Sequence, residues 1–208
     1  MAALGRWRGQ LEDWIAGVAL LGGTALERRA PGAPRDSGNV VICSWQDACE
    51  RAAGFDAVIS IESPDATHDS GRLRRFDRPG EPAHQVLCFH DIDDPRHPAP
   101  PRRRHVRDGL VFARAHVERR LLIHCYAGVS RSTALAYAIL VDRHGHDGDE
   151  ARLLERLLEI RPQACPNRLV VRHADALLGR RGRMIAAVEE HPVIQETRRR
   201  NFSLPPGV

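Results

Sequence analysis

The segment His124-Cys125-Tyr126-Ala127-Gly128-Val129-Ser130-Arg131-Ser132 holds the residue types that covalent attack on phosphorus requires. Cys125 can supply a thiolate nucleophile. Six residues later, Arg131 can hold two non-bridging phosphate oxygens with its planar fork, and more strongly as charge spreads in the transition state. The spacing alone says little. All 31 Lys+Arg residues among the 208 are arginine, so with five cysteines one Cys-x5-Arg match by chance has about even odds. The surrounding residues decide the matter.

An apolar run, Leu121-Leu122-Ile123, delivers the cysteine as a strand. Gly128 stands inside the loop, where the backbone must take positive φ or approach a ligand closely. Ser130-Arg131-Ser132-Thr133 opens a helix with Ser130 as its expected cap, and Ala134–Val141 is apolar enough to be buried. A strand, a tight loop and a buried helix make an anion site. The loop N–H groups of Tyr126, Ala127, Gly128, Val129 and Ser130 converge on one point, and the helix start adds partial positive charge. The same field favours a thiolate at the base of the loop. Ser132 is placed to donate to the sulfur when the phospho-enzyme breaks down, and His124 to order the loop. The bland alternative is a strand-end cysteine and a surface arginine.

His-Cys-x5-Arg-Ser is similar to the signature of the protein tyrosine phosphatase superfamily, especially its compact dual-specificity-like, bacterial-type branch. The resemblance extends over roughly residues 39–180. Arg161-Pro162 and Pro166-Asn167 resemble the family's landmarks after the signature helix, and Val86–Asp91 resembles its approach to the acidic loop. The Trp-Pro-Asp loop of the larger tyrosine phosphatases is absent. The resemblance implies a phosphocysteine intermediate and a general acid on a loop about 30 residues before the cysteine, which also activates water in the second step. Asp91, Asp93 and Asp94 are the candidates. Asp91 follows the strand directly and is favoured; Asp93 has the more usual separation and comes next. Asn167 is a supporting residue.

Several elements must position these groups. Asn39–Ser44, Asp56–Ile61, His84–Phe89 and Leu121–His124 read as strands. Trp45–Ala53, His105–Glu118, Ser130–His144, a segment capped by Asp149 and running to Ile160, Asn167–Leu178 and Arg183–Glu190 read as helices. Strands alternating with helices, then a run of helices, predict an α/β fold: a central, mostly parallel sheet of four to five strands flanked by helices, with a helical C-terminal part. The expected organisation is an N-terminal extension and linker (1–38), a phosphatase domain (39–180) and a C-terminal helix and tail (181–208). The apolar run Trp14–Leu26 is too short and too interrupted by glycine for a membrane helix and lacks the flanks of a signal peptide.

A net charge of +4 suits an anionic substrate and is too dispersed to argue for nucleic acid. Five irregularly spaced cysteines suggest no disulfide framework and a reducing, cytoplasmic setting. No metal or cofactor is implied; Cys88, His90 and Asp91 are too few and too loosely spaced for a metal site. Val40-Val41-Ile42-Cys43 resembles the strand before the loop of low-molecular-weight tyrosine phosphatases. The sixth residue after Cys43 is Cys49, so Cys43 reads as a buried strand cysteine, with a reversible disulfide to Cys125 as the alternative. The expected partner is a phosphorylated protein or small phosphomonoester, with no firm membrane association. Phosphotyrosine is favoured because Tyr126–Ser130 carries no basic side chain for extra phosphates. Rhodanese-like sulfur transfer and non-catalytic phosphate binding are the rival functions.

Overall fold

The computed structural model describes residues 39–146 and 148–202; the extension and linker expected over 1–38 lie outside them. Four strands form one sheet: β1 (Val40–Cys43), β2 (Ala57–Glu62), β3 (Ala83–Cys88) and β4 (Leu121–His124). The order is β1-β4-β2-β3, and every pairing is parallel. Among the described residues seven α-helices flank or follow the sheet: α1 (Trp45–Arg51), α2 (Arg103–Ala115), α3 (Arg131–His144), α4 (Glu150–Ile160), α5 (Arg168–Leu177), α6 (Arg183–Glu190) and α7 (Pro192–Phe202). The expected α/β architecture is what the chain adopts.

Every residue of the two central strands, β2 and β4, is buried. That is the normal state of parallel strands covered on both faces. Under α1, Cys43, Ala48, Ala52, Phe55, Val58, Leu73, Phe76 and Leu122 form one core cluster. The central helix α3 packs against β1, β4 and helices α2, α4 and α5, and residues Arg131–Val141 are all buried. Gly109 in α2 permits one of those contacts. A Cβ there would stand 3.0 Å from both Leu135 methyl carbons, tighter than ordinary side-chain packing.

Local chemistry sets the helix starts. Ser44 caps α1, its hydroxyl taking the Asp47 N–H at 3.2 Å while the Asp47 carboxylate takes the Ser44 N–H at 3.4 Å, a reciprocal capping box. Asn167 caps α5 by accepting from Val170 N–H at 3.0 Å. Two expected caps are corrected. Asp149 precedes α4, but its carboxylate takes the His146 N–H instead. Ser130 precedes α3, but its hydroxyl turns to Asp91. The expected tail also contains a further helix, α7. Pro192 opens it, at the position where proline's missing N–H costs nothing.

Candidate active site

The loop between β4 and α3 is shaped from outside. Trp45 N–H donates to the Tyr126 carbonyl at 3.0 Å and Cys165 N–H to the Val129 carbonyl at 2.9 Å. Arg161 donates through Nε to the Gly128 carbonyl at 3.0 Å and through Nη2 to the Ala127 carbonyl at 3.3 Å. The Ser130 carbonyl receives Ala134 N–H at 3.0 Å and Asn167 N–H at 3.3 Å, and Thr133 Oγ1 donates to it at 2.9 Å. All five carbonyls from Tyr126 to Ser130 are thus turned outward. Among the described residues none of the five matching N–H groups has a main-chain acceptor, the condition a loop at a helix start must meet to cradle an anion. Gly128 makes the turn at φ +68°, and a Cβ there would overlap the Cys43 carbonyl and sit 2.8 Å from Ser44 N. The positive φ expected from the sequence is there; the close approach is to the Cys43–Ser44 backbone at the end of β1.

Cys125 lies at the base of this loop, 2% exposed, with its Sγ 3.2 Å from Ser132 Oγ. Arg131 is buried too. Its Nη1 donates to Ser63 Oγ and to the Phe89 carbonyl, both at 2.9 Å. Its Nε is buried and has no hydrogen-bond partner among the described residues. The guanidinium is therefore anchored by one nitrogen and presents its Nε edge. His124 is fully buried, with Nε2 2.7 Å from Ser60 Oγ; burial pushes it down to about 4, against the pull of the Cys125 main chain. It is a neutral ring below the loop.

The three acidic candidates separate by contact. Asp91 Oδ1 accepts from Ser130 Oγ at 2.7 Å and from Asn167 Nδ2 at 2.9 Å, while Oδ2 lies 3.8 Å from Arg131 Nε. Asp93 turns away, its Oδ1 taking the Arg168 and Leu169 N–H groups at 3.0 and 3.3 Å at the start of α5. Asp94 pairs with exposed Arg96 at 3.1 Å. Only Asp91 faces the loop. Asn167 joins the Asp91 loop, the Cys125 loop and α5, since it donates to Asp91, sends its N–H to Ser130 and caps its own helix.

Other neighbours complete the site. Tyr126 stacks on Trp45, ring centroids 6.3 Å apart and 8° from parallel, and both are partly exposed. Glu62, at the end of β2, is 3% exposed. Burial alone would raise its carboxyl, but Arg75 donates to its two oxygens at 2.6 and 2.8 Å and holds it below the usual range. Cys43 is buried, and burial pushes its thiol up to about 12, which disfavours the thiolate a disulfide exchange with Cys125 would need. His90 stands 3.8 Å from Asp65, and Cys88 is exposed.

Ser60, Ser63, His84 and Trp45 were not among the residues singled out by sequence, and Arg161 was only a landmark. One signal was available. Ser60 and Glu62 share a face of a strand otherwise made of Ala, Val and Ile, and polar groups buried there need partners.

No family model matches the chain, and no curated protein matches it by sequence. Solved structures do. The human tyrosine phosphatase-like serine/threonine/tyrosine-interacting protein is 17% identical, with a TM-score of 0.53 over 68% of this chain and 91% of its own. Human DUSP28 is 20% identical, with a TM-score of 0.50 over 69% and 96%. PTPMT1, solved with PI(5)P, is 16% identical, with a TM-score of 0.51 over 68% and 90%. The fold is that of the tyrosine and dual-specificity phosphatases.

Proposed function

We propose that the chain is a cysteine-dependent phosphomonoester hydrolase of the tyrosine/dual-specificity type, acting in the cytoplasm on phosphoprotein, with phosphotyrosine favoured. The observation that carries this reading is the Asp91 carboxylate, fixed by Ser130 and Asn167 and aimed at the Arg131 guanidinium beside the nucleophile loop. A sulfurtransferase loop or a passive anion site has no use for an acid held there.

The phosphoryl group sits on the N–H groups of Tyr126–Ser130 with two oxygens on Arg131. The Cys125 thiolate attacks phosphorus, the P–O bond to the substrate breaks, and Asp91 gives its proton to the leaving oxygen. In the second step Asp91 takes a proton from water as the water oxygen attacks the phosphocysteine. The S–P bond breaks, Ser132 donates to the departing thiolate, and inorganic phosphate leaves. Arg131 and the loop dipoles stabilise the charge on the equatorial oxygens throughout. The stacked Trp45–Tyr126 pair at the loop rim offers an aromatic wall to a phenyl phosphate, which supports a tyrosyl substrate over an alkyl one.

The test is metal-independent hydrolysis of an aryl phosphate, blocked by vanadate, set against a Cys125→Ser control. Phosphotyrosine, phosphoserine and phosphoinositide substrates are compared side by side. No turnover above the control rejects the enzyme, and transfer of sulfur from thiosulfate to cyanide supports the rival.

A further inference from the structure

We infer that His84, on the outer strand β3, is a positioning residue for the nucleophile: through Ser60 it fixes which nitrogen of His124 carries the proton beside Cys125. The inference rests on the reading of Cys125 as the nucleophile.

The polarity of the hydrogen bonds can be worked out from one end. Phe76 N–H donates to His84 Nδ1 at 3.3 Å, so that nitrogen is the acceptor. Burial, with Arg75 next, pushes His84 down to about 4, so the ring is neutral and its proton is on Nε2. That nitrogen lies 2.8 Å from Ser60 Oγ and donates to it. The Ser60 hydroxyl hydrogen then goes to its other neighbour, His124 Nε2, at 2.7 Å. His124 is neutral as well and now accepts on Nε2, so it must hold its proton on Nδ1. Nδ1 faces the Cys125 main chain without closing a full hydrogen bond.

Ser60 and His124 are both fully buried, so water cannot reset these roles from solution. The orientation is imposed at the strand edge, where the partly exposed His84 is held by a backbone N–H and by edge contact with Phe76 at 5.2 Å. The charged groups acting on the two rings are Arg74, Arg75 and Glu62 at His84, and Glu62 and Arg131 at His124. Glu62 is already paired with Arg75. A fixed N–H dipole at the base of the loop favours the Cys125 thiolate, whereas the other tautomer would turn a lone pair there.

The test compares full-length wild type, His84→Ala and His84→Gln. Cys125 alkylation by iodoacetate is followed against pH, alongside phenyl phosphate hydrolysis. In His84→Ala the alkylation rate near neutral pH should fall by about fivefold and rejoin wild type at alkaline pH, where every thiol is ionised; kcat should fall with KM little changed. His84→Gln, whose amide N–H can reach Ser60, should restore both. An unchanged alkylation profile in a folded His84→Ala protein overturns the inference, as does a loss that Gln does not repair. Should His84→Ala fail to fold, the 15N signals of His124 in the wild type decide: a proton on Nδ1 supports the relay and a proton on Nε2 rejects it. A His84-dependent alkylation profile without phosphate hydrolysis would sink the enzymatic reading and leave this one standing. Hydrolysis indifferent to His84 would do the reverse.

Discussion

Asp91 and Arg131 face each other across the mouth of the Cys125 loop, Oδ2 to Nε at 3.8 Å, too long for a hydrogen bond and short enough to feel charge. On the proposed reading, proton delivery at Asp91 depends on this placement beside the guanidinium. Asp91→Asn should therefore lower kcat on phenyl phosphate by roughly 10²-fold or more. The loss should be much smaller on a substrate whose leaving group needs no proton. Equal losses on both would remove Asp91 from the acid role.

Asp93 should behave differently, because its oxygen is occupied by the N–H groups that open α5. Asp93→Ala should cost about 1 kcal/mol of stability as a lost cap, with kcat close to wild type. Thermal unfolding and a rate assay check the two halves. A collapse of kcat without a stability change would transfer the acid role to Asp93.

Arg161 holds two loop carbonyls outward with a single guanidinium. Arg161→Lys should fail to substitute, since an ammonium cannot place two donors in that fork. Vanadate affinity should drop by roughly tenfold in both the Lys and Met variants, the scale of one or two charge-assisted hydrogen bonds. Inhibition constants identical to wild type would show that the loop holds its shape without Arg161.

Gly128→Ala meets two penalties, a left-handed φ and the Cys43 carbonyl. A strained φ alone costs about 1 kcal/mol or more, and the overlap must move β1 or the loop as well. The expected result is a lower Tm together with weakened vanadate binding. A variant as stable and as tight-binding as wild type would mean the loop adopts another path.

Stability should fall as the solution is acidified from about pH 6.5 toward 4. Both His124 and His84 titrate near 4 when folded and near 6.5 when unfolded, so in that window the unfolded chain binds more protons and acid favours it. His124 alone should account for roughly 2 kcal/mol by pH 5; His84 is more exposed and adds less, because solvent screens it. Urea midpoints at pH 7 and pH 5 give the measurement. A flat profile in this range would mean that the buried rings are charged.

The strand, glycine loop and buried helix around Cys125 were legible because each is encoded within a few consecutive residues: the apolar run Leu121–Ile123, Gly128, and the apolar stretch after Arg131. The order of the strands was not, since nothing local says that β4 inserts between β1 and β2. The partners of the loop were equally hidden. Arg161 meets Gly128 across 33 positions, and Ser60 meets His124 across 64. Sequence position after the strand favoured Asp91, and separation from the cysteine favoured Asp93; what neither cue contained is that Asp93 takes the N–H groups at the start of α5 while Asp91 stands beside Arg131. Ser130 shows how a correct element can carry an incorrect role: the helix begins after it, but its hydroxyl holds Asp91.

The central helix α3 shows solvent almost nothing along its first eleven residues. A change at the surface therefore reaches the helix and the Cys125 loop only through residues that touch them from outside. Among the described residues the exposed stretch from Asp94 to Pro98 makes no hydrogen bond to the helix or its loop, whereas Ser63 holds Arg131 and Trp45 holds the Tyr126 carbonyl. On the proposed function, substitution in the Asp94–Pro98 stretch changes what meets the surface while the Cys125 loop keeps its geometry.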